Sequence, residues 1–572
     1  MSSLDWWVLI STLVGLIGYG LYRSRGKQNF DDFTRAGQSL PWYHVGLSVM
    51  ATQASAITFL SAPGQGFADG MRFVQFYFGL PLAMIVLSIT FVPIFHKLNV
   101  YTAYEFLEKR FDGRVRSLTA GLFLLQRGLS TGLSIYAPAI ILSTILGWNI
   151  YLTNLIMGGL VLIYTVTGGT KAISHTHLTQ MLIVTVVMLV AGWLTVRLLP
   201  ESMGLTDALR VAGKAGRLNL IDTKFDLQNR YNLWSGLIGG FFLQLSYFGT
   251  DQSQVGRYLT GQSIAQSRMG LLMNGLLKVP MQFLILLVGV LVFVFYQFNE
   301  SPIFFNQQET DRLRSGPLAA EFQLLDSKHQ ALTATRREAV ANLEVALQTD
   351  NDKAIGVAGE QIRLSDDELT NLRKDVATLV QRNNPTADTN DVNYVFLRFV
   401  LDHLPHGLIG LLIAALFIAS MGSIASAYSS LSSTTVVDVY NRIVPVASQT
   451  MSEVALSRWL TLGWGVFCII VAQFANLIGG SMIEIVNILG SLFYGVILGI
   501  FCVAFYLKSV GGRATFWAAV AAEVMVIGCY QFDLMAFLWL NVVGCLLVML
   551  FALILNYLTP NPSPLERGGG VR

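Results

Sequence analysis

The chain has 572 residues, of which 53% are hydrophobic and 13% are charged, and its formal net charge is +3. Soluble globular proteins carry about twice this fraction of charged residues, so the composition excludes an ordinary soluble protein and predicts a polytopic membrane protein. The net charge is small and no compact basic patch occurs, which gives no reason to expect a nucleic-acid partner.

Thirteen apolar spans are long enough to cross a bilayer. The first, Trp6 to Leu21, is followed and not preceded by basic residues, which predicts a retained helix whose N-terminus lies outside. The other twelve lie at about 41–62, 73–96, 116–146, 149–167, 177–199, 232–249, 269–298, 397–437, 457–476, 481–507, 513–532 and 535–557. An odd number of spans places the C-terminus inside, and the short predicted outer loops hold almost no lysine or arginine, as the positive-inside rule requires.

The second span is interrupted. From Ser48 to Gly66 it reads SVMATQASAITFLSAPGQG, with several polar residues at mid-depth and an end rich in proline and glycine. Polar groups and irregular backbone at this depth are tolerated only where they are buried in protein or line a wet cavity. The segment therefore predicts a discontinuous helix that forms half of a solute and ion site. The alternative is a continuous helix whose hydroxyls bond to its own carbonyls.

Residues 299–392 form a segment that is far longer than an ordinary connection. An apolar heptad pattern from Ile355 to Leu379, preceded by a second apolar stripe, predicts an antiparallel helical hairpin outside the membrane, with a turn at Thr349–Asp352. We expect its apolar residues to pack against one another and the hairpin to be dispensable for the function of the membrane-spanning part. An interaction role and a solvated spacer remain equal alternatives.

Several motifs in fixed order resemble the sodium/solute symporter family, which includes the sodium/glucose, sialic acid, monocarboxylate and iodide symporters. The motifs are DDFTRAGQSLPWY, SIYAPAIIL, TGGTKAI, GTDQSQVGRYLTGQS and LPHGLIGLLIAALFIASMGSIASAYSSLSSTTVVDVY. The resemblance covers nearly the whole chain apart from 299–392 and the last dozen residues.

The resemblance implies an all-α membrane protein with a LeuT-like core of two inverted five-helix repeats. Each repeat opens with an interrupted helix, the second at Gly236, Gly239, Gly240 and Gly249. The implied division is 1–40 (extra N-terminal helix and cytoplasmic linker), 41–199 (first repeat), 200–231 (outer loop), 232–298 (start of the second repeat), 299–392 (hairpin insert), 393–507 (rest of the second repeat), 508–557 (two extra helices) and 558–572 (disordered cytoplasmic tail).

The resemblance also implies a sodium site between the first and eighth core helices. The matching positions are the carbonyls of Ala51 and Ala54 and, on the eighth helix, Ala419, Gly422 and Ser423. Gly422 lacks the hydroxyl that most relatives have there, so a neighbouring serine, Ser420 or Ser426, is a candidate replacement ligand. The serine-rich run has an alternative role in close helix packing.

A second departure lies at His177. Many relatives read Trp-Thr-Asp where this chain reads His175-Thr176-His177, and their Asp is implicated in a second sodium site or in ion exit. Histidine repels a cation when it is protonated, so we expect one sodium ion per cycle. Proton coupling is an alternative, and so is an interfacial histidine pair bonded to water.

Two basic residues, Arg127 and Lys278, lie deep in apolar spans, where charges face a cavity or a partner. The resemblance to sialic acid and sugar symporters implies a solute pocket around them. Its candidate residues are Gln53, Ser55, Thr58, Gln75, Arg127, Gln244, Tyr247 as an aromatic gate, and Lys278. We expect no intramembrane aspartate nearby, and a positive pocket suits a carboxylate-bearing solute such as a monocarboxylate or sialic acid. Pairing of Arg127 with carbonyls or with Glu484 is an alternative, and a neutral sugar or polyol is the alternative solute.

The function implied is secondary active symport by alternating access, with sodium as the coupling ion and no other cofactor. The chain lacks a P-loop and the common hydrolase and metalloprotease motifs, so we expect neither an enzyme nor an ATP-driven pump. A channel is disfavoured, and a sensor is too, since no kinase sequence follows Tyr557. The expected partners are the solute, sodium and the lipid bilayer, for a monomer in the inner (plasma) membrane.

Overall fold

The computed structural model describes residues 1–23, 38–98, 100–201, 203–349, 351–385, 387–444, 451–475 and 481–558. Regular structure in these ranges is helical, apart from one isolated bridge between Leu40 and Gly261. The predicted tail beyond Leu558 and most of the linker after the first helix lie outside the described residues.

Twenty-two α-helices are found in the described ranges. In chain order they are α1 Ser3–Arg23, α2 Trp42–Gln53, α3 Ala62–Asp69, α4 Leu80–Ile89, α5 Phe91–Leu98, α6 Ala103–Arg110, α7 Gly113–Leu146, α8 Ile150–Arg197, α9 Leu205–Lys214, α10 Gly240–Thr250, α11 Gln252–Tyr258, α12 Ile264–Phe298, α13 Gln307–Ser315, α14 Ala319–Gln348, α15 Asp352–Asn383, α16 Val392–His403, α17 Leu408–Thr434, α18 Asn441–Ile443, α19 Glu453–Ala472, α20 Met482–Tyr506, α21 Gly512–Gln531 and α22 Phe537–Leu558.

Eleven helical stretches in the described ranges are long and apolar enough to cross a membrane. The two remaining predicted spans, 41–62 and 232–249, contain π-helical turns at Ile57–Ser61 and Ser235–Gly239, so neither is a continuous α-helix. An all-helical membrane architecture follows, while the count of thirteen spans and the orientation of the termini stay predictions.

The structure connects two predicted spans and divides a third. Helical hydrogen bonding continues through α8 from Ile150 to Arg197, so no loop separates the spans predicted at 149–167 and 177–199. The span predicted at 397–437 is divided into α16 and α17, because Pro405 has no N–H and Gly407 takes a left-handed φ of 89°. The free amide of Gly407 donates instead to Asp5 Oδ1 at 2.6 Å.

The interrupted helix near Ala54 is confirmed. Although Thr52 Oγ1 bonds to the Ser48 carbonyl as in a continuous helix, α2 ends at Gln53 and Ala54 has extended dihedrals of −85° and 93°. The returning segment packs closely on α12, since a Cβ added to Gly66 would lie 2.4 Å from the Leu286 carbonyl oxygen. Burial against another helix is the condition under which broken backbone is tolerated at this depth.

The region of the span predicted at 232–249 is interrupted twice: Gly236 and Gly239 lie in the π-helical turn Ser235–Gly239, and the chain breaks again at Asp251, which the sequence reasoning missed. Helix α10 ends at Thr250, Asp251 is extended with ψ 117°, and its side chain accepts a bond from Ser253 N at 2.8 Å to cap α11. The glycines also permit close packing: a Cβ on Gly236 would lie 2.1 Å from the Gln75 carbonyl oxygen.

Helices α14 and α15 form the predicted hairpin, and every heptad position from Ile355 to Leu379 is buried. The predicted turn falls between the two helices. The expectation that its apolar residues pack against one another is confirmed for Leu372, Val376 and Leu379, which share a cluster with Phe322. Ile355, Ala358 and Ile362 belong instead to the same buried apolar cluster as the membrane helices. Arg336 also donates to the Tyr296 carbonyl at 2.7 Å, which fixes α14 to the end of α12.

Gly289 lies too close to a neighbouring backbone to carry a side chain without displacing it. A Cβ at this position of α12 would lie 1.9 Å from the Pro63 carbonyl oxygen, whereas one at Gly121 of α7 meets nothing within 4 Å. We therefore expect Gly289→Ala to lower stability in detergent by about 1–3 kcal/mol, and Gly121→Ala to be neutral or slightly stabilising. Equal thermal unfolding midpoints for the two variants would contradict the close contact between α12 and the start of α3.

Candidate functional site

A polar cavity of about 110 Å³ lies beside the break that follows α2. The end of α2 and the π-helical turn Ile57–Ser61 line it together with α7, α10, α17 and α20. Seven of the residues predicted from the sequence line this cavity: Gln53, Ser55, Thr58, Arg127, Gln244, Tyr247 and Ser423.

Gln75 and Lys278 are not brought to the cavity. The Gln75 amide donates to the Tyr231 carbonyl at 3.1 Å and accepts from Asp222 N at 3.2 Å, so it fastens the 222–231 segment. Lys278 is fully buried with its Nζ 5.8 Å from the Tyr77 ring centroid, and the Tyr77 ring, not the lysine, lines the cavity.

One polar face of α7 was missed by the sequence reasoning. Gln126, Ser130 and Ser134 line the cavity next to Arg127 and Thr131. The signal was present, because these positions recur at spacings of three and four residues, which share one face of a helix. Gln126 Nε2 donates to Ser130 Oγ at 3.0 Å, and Asn487 of α20 adds a further amide to the lining.

Three glutamines leave amide atoms unsatisfied. Both polar atoms of the Gln244 side chain, and the Oε1 atoms of Gln53 and Gln126, have no hydrogen-bond partner among the described residues. An unsatisfied buried polar group costs about 1–3 kcal/mol. These atoms are therefore positioned to bond a polar solute or water.

Arg127 has an acidic partner, so the expectation of no nearby aspartate is wrong. Its Nε lies 3.7 Å from Asp251 Oδ2, its Nη2 donates to Ser253 Oγ, and the Asp251 side chain is fully buried. Asp251 Oδ2 also accepts from the Tyr494 hydroxyl at 2.8 Å. The chain interruption at Asp251 turns this carboxylate towards α7, whereas the sequence places it past the end of an apolar span.

Glu484 is not the partner of Arg127, and that alternative is wrong. Its carboxylate instead accepts from Arg230 Nη1 at 3.0 Å and from the Tyr231 hydroxyl at 2.8 Å. The positive charge in the cavity is thus neutralised by Asp251. A guanidinium has five N–H donors, more than Asp251 and Ser253 occupy, so Arg127 retains donors for a second acceptor.

The candidate sodium ligands lie on the two helices that meet beside the cavity. Ala51 belongs to the last turn of α2, where backbone carbonyls have no intrahelical partners, and Ala54 follows the break. Ala419 and Ser423 lie on α17, which packs on α2, and Ser423 Oγ donates to the Ser420 carbonyl at 3.1 Å. Carbonyl and hydroxyl oxygens are the ligand types that hard cations prefer.

Helix α8 occupies the space that a side chain at Gly422 would need. A Cβ at Gly422 would lie 2.5 Å from Gln180 Oε1 and 3.1 Å from His177 Nε2. The Gln180 amide oxygen, which the sequence reasoning missed, thus lies beside Gly422. Of the proposed replacements, Ser420 bonds to its own helix at Leu416, while Ser426 Oγ lies 3.4 Å from Thr52 Oγ1.

His177 is buried and not interfacial. Its side chain is fully enclosed, and Nδ1 lies 3.0 Å from Ser48 Oγ on α2. The alternative of a water-bonded interfacial histidine is therefore wrong for this residue. The His175 side chain lies outside the described residues.

The sequence model of the sodium:solute symporter family matches residues 33–306 and 374–522, well over half of the chain. The chain belongs to the sodium:solute symporter family. Membership confirms the resemblance noted from the motifs, and with it the expectation of a transporter and not an enzyme. The unmatched residues between the two ranges fall within the hairpin insert.

Similar proteins of this family transport different solutes. The chain is 34% identical to the human sodium/iodide cotransporter over 292 residues, which cover 50% of this chain and 44% of that protein. It is 32% identical to the Xenopus laevis sodium-coupled monocarboxylate transporter 1 over 269 residues, 47% of this chain and 42% of that one. A rabbit (Oryctolagus cuniculus) sodium-dependent multivitamin transporter is 26% identical over 514 residues, which cover 88% of this chain and 66% of that protein. The chain thus spans less than half the length of the iodide and monocarboxylate relatives.

A solved structure of this family's fold is similar throughout. The substrate-bound, outward-open structure of a sodium-coupled sialic acid symporter superposes with a TM-score of 0.74 and 20% identity, covering 97% of this chain and 98% of that one. At this identity the likeness establishes the fold of the symporter and carries no information on the solute.

The buried Arg127–Asp251 pair predicts a large penalty for removing one partner. Asp251→Asn leaves an uncompensated buried guanidinium, and we expect it to lower stability by about 3–5 kcal/mol. Glu484→Gln is the matched control, since the side chain of its partner Arg230 is 56% exposed and an exposed pair contributes about 0–1 kcal/mol.

The readout is the thermal unfolding midpoint in detergent without solute. The double variant Arg127→Gln/Asp251→Asn should be more stable than Asp251→Asn alone, because no charge is left unpaired. An Asp251→Asn variant as stable as Glu484→Gln would show that the pair carries no such energy.

Proposed function

We propose that this protein is a sodium-coupled secondary transporter that carries a small polar organic solute by alternating access, with a carboxylate-bearing solute favoured. The observation that carries the proposal is the cavity at the helix break, where Arg127 and unsatisfied amides converge in a member of the sodium:solute symporter family. Discontinuous helices with free backbone groups are where transporters of this kind hold solute and ion.

The size of the cavity supports a small solute. An engineered cavity of about 150 Å³ accommodates benzene, and this cavity measures about 110 Å³. A monocarboxylate of a few heavy atoms fits that volume better than sialic acid. A similar protein is named as a monocarboxylate transporter, which agrees with this class of solute.

Arg127 is the proposed carboxylate anchor. A planar guanidinium binds carboxylates with two parallel hydrogen bonds, and Asp251 and Ser253 leave donors for a second anion. The solute's polar substituents would then meet the unpaired amides of Gln244 and Gln53, with Ser55 and Thr58 as further donors and Tyr247 as the aromatic gate.

A neutral sugar or polyol is the second candidate. The ion pair between Arg127 and Asp251 favours it, because the cavity then has no net charge that demands an anionic solute. The unpaired glutamine amides suit hydroxyl groups equally well. In that case Gln244 would be the deciding residue of the cavity, with Lys278 acting only from behind the Tyr77 ring.

The proposed sodium site comprises the carbonyls of Ala51, Ala54 and Ala419 and the hydroxyl of Ser423. His177 supplies no carboxylate for a second cation, which supports one sodium ion per cycle. Proton coupling through His177 remains the alternative, and the burial of its ring between Ser48 and Gly422 leaves it without the water contact that proton exchange would need.

The fold likeness also supports the finer architecture. We assign inverted repeats to 41–199 and 232–507, with thirteen spans, the N-terminus outside and the C-terminus inside. The remaining segments keep their predicted places as extra helices, outer loop, hairpin insert and tail. The protein would act as a monomer in the inner (plasma) membrane.

The sodium site predicts a selective effect of Ser423→Ala. Loss of one hydroxyl ligand should raise the sodium concentration for half-maximal uptake about tenfold, which corresponds to about 1.4 kcal/mol. Solute affinity at saturating sodium should change less. Ser433→Ala is the matched control, since its hydroxyl bonds to the carbonyl three residues earlier, as that of Ser423 does.

Uptake into proteoliposomes across a sodium series measures both variants. Sodium dependence equal to the parent in Ser423→Ala, or uptake that never responds to sodium, would refute the assignment.

The carboxylate hypothesis predicts discrimination between an acid and its amide. The parent should prefer a monocarboxylate to the corresponding amide in a competition assay. Arg127→Gln should lose that preference and about 30- to several thousand-fold in affinity, since a charge-assisted pair in a desolvated pocket is worth about 2–5 kcal/mol. Arg127→Lys should also bind weakly because it lacks the paired donors.

Lys278→Met is the control that removes a buried positive charge outside the cavity. It should leave the acid preference intact. Equal binding of acid and amide by the parent, together with loss of uptake in Lys278→Met, would favour the neutral-solute alternative.

A further inference from the structure

A second chamber, of about 480 Å³, lies between the hairpin and the body of the protein. Its walls are α14 and α15 of the hairpin, the ends of α3 and α12, the segment after α9 and the residues that lead into α16. It shares no lining residue with the cavity beside α2. The hairpin residues of its wall up to Arg373 lie in the stretch that the family's sequence model leaves unmatched.

The lining of the chamber is rich in arginine. Four basic side chains face three carboxylates: Arg217, Arg336, Arg373 and Lys374 against Asp69, Asp366 and Asp391. With all seven ionised, the chamber has a net charge of about +1. The wall therefore has one positive charge more than its carboxylates neutralise.

The carboxylates are already engaged. Asp366 Oδ1 lies 3.2 Å from Arg336 Nη1, and Asp391 Oδ2 lies 3.5 Å from Arg373 Nε while accepting from Phe305 N at 2.9 Å. Asp69 accepts from the Gln65 amide. These contacts hold the carboxylates in place. They use only some of the N–H donors of Arg336 and Arg373.

The Nε atoms of Arg217 and Arg336 have no hydrogen-bond acceptor among the described residues, and Arg373 Nε has only the ion pair with Asp391 at 3.5 Å. The Arg336 side chain is only 6% exposed. A guanidinium has five N–H donors, more than the carboxylates of the wall use, so the arginines keep donors for an anion in the chamber.

His329, which also lines the chamber, is affected by the same arginines. Burial, together with the charges of Arg373 and Arg336, lowers the pKa of this imidazole to about 4. His329 is therefore neutral at pH 7 and adds no charge to the wall.

We propose that this chamber binds a small anion, either a carboxylate or a halide, held by Arg336 and Arg373 of the hairpin and by Arg217 of the body. Arg217 also donates to the Ala68 carbonyl at the end of α3, with its guanidinium carbon 4.5 Å from the Phe293 ring centroid. The anion would therefore link the insert to the half-helix that returns from the break. The site does not depend on the identity of the transported solute.

Thermal unfolding of the purified full-length protein tests the proposal. Sodium acetate and sodium chloride are titrated separately against sodium HEPES at constant sodium, so that the sodium site stays equally filled. We expect a saturable rise of the unfolding midpoint with at least one of the two anions, and the pair of titrations distinguishes a carboxylate from a halide.

Arg373→Gln should raise the half-maximal anion concentration about tenfold, as loss of one charge-assisted contact predicts. Arg382→Gln is the matched control on the same helix, where the side chain is 56% exposed and bonds to Glu321, and it should titrate like the parent. If Arg373→Gln does not fold, Lys374→Gln samples the same wall and should weaken the titration by about threefold.

Arg127→Gln separates this site from the cavity beside α2. Persistence of the titration in Arg127→Gln and its weakening in Arg373→Gln support the chamber. A titration lost in Arg127→Gln and unchanged in Arg373→Gln, or no anion-dependent rise in the parent, would overturn the proposal. Failure of the acid-versus-amide assay would leave this result untouched.

Discussion

The structure depends on one constraint: each backbone polar group buried in hydrocarbon needs a hydrogen-bond partner or a wet cavity. The chain breaks its helices at Ala54 and at Asp251, and both breaks are enclosed by packed helices. Glycines at α12 and α10 allow the backbones to approach closely enough for that enclosure. The unpaired carbonyls and the polar side chains beside the first break then line one cavity.

The charge of Arg127 is the second determinant of that cavity. A guanidinium at this depth is stable only with a counter-charge, and Asp251 supplies it while the Tyr494 hydroxyl and the Ser253 backbone hold the carboxylate in place. Because the pair is neutral, selectivity for a carboxylate would come from the spare planar donors of the guanidinium. Net charge alone does not select the solute.

Local patterns predicted local features well. Mid-span polar residues indicated the break after Gln53, and the heptad indicated the hairpin. The sequence predicted that Lys278 is enclosed, and it is fully buried. It lies behind Tyr77 and not at the cavity, since an apolar span does not reveal which face of its helix meets a cavity. Asp251 escaped prediction because it reaches Arg127 only through the fold, across more than a hundred residues of sequence.

Gly422 and His177, the two unusual residues near the proposed ion site, lie against each other. Gly422 leaves room for Gln180 and His177, whose side-chain atoms lie within 3.1 Å of where its Cβ would be. A serine restored at position 422 would collide with the Gln180 amide oxygen unless α8 moved. Position 422 itself has no hydroxyl, but the Gln180 amide oxygen lies beside it, and this is an oxygen of a kind that hard cations accept. A side chain larger than glycine at position 422 therefore needs a compensating change on α8.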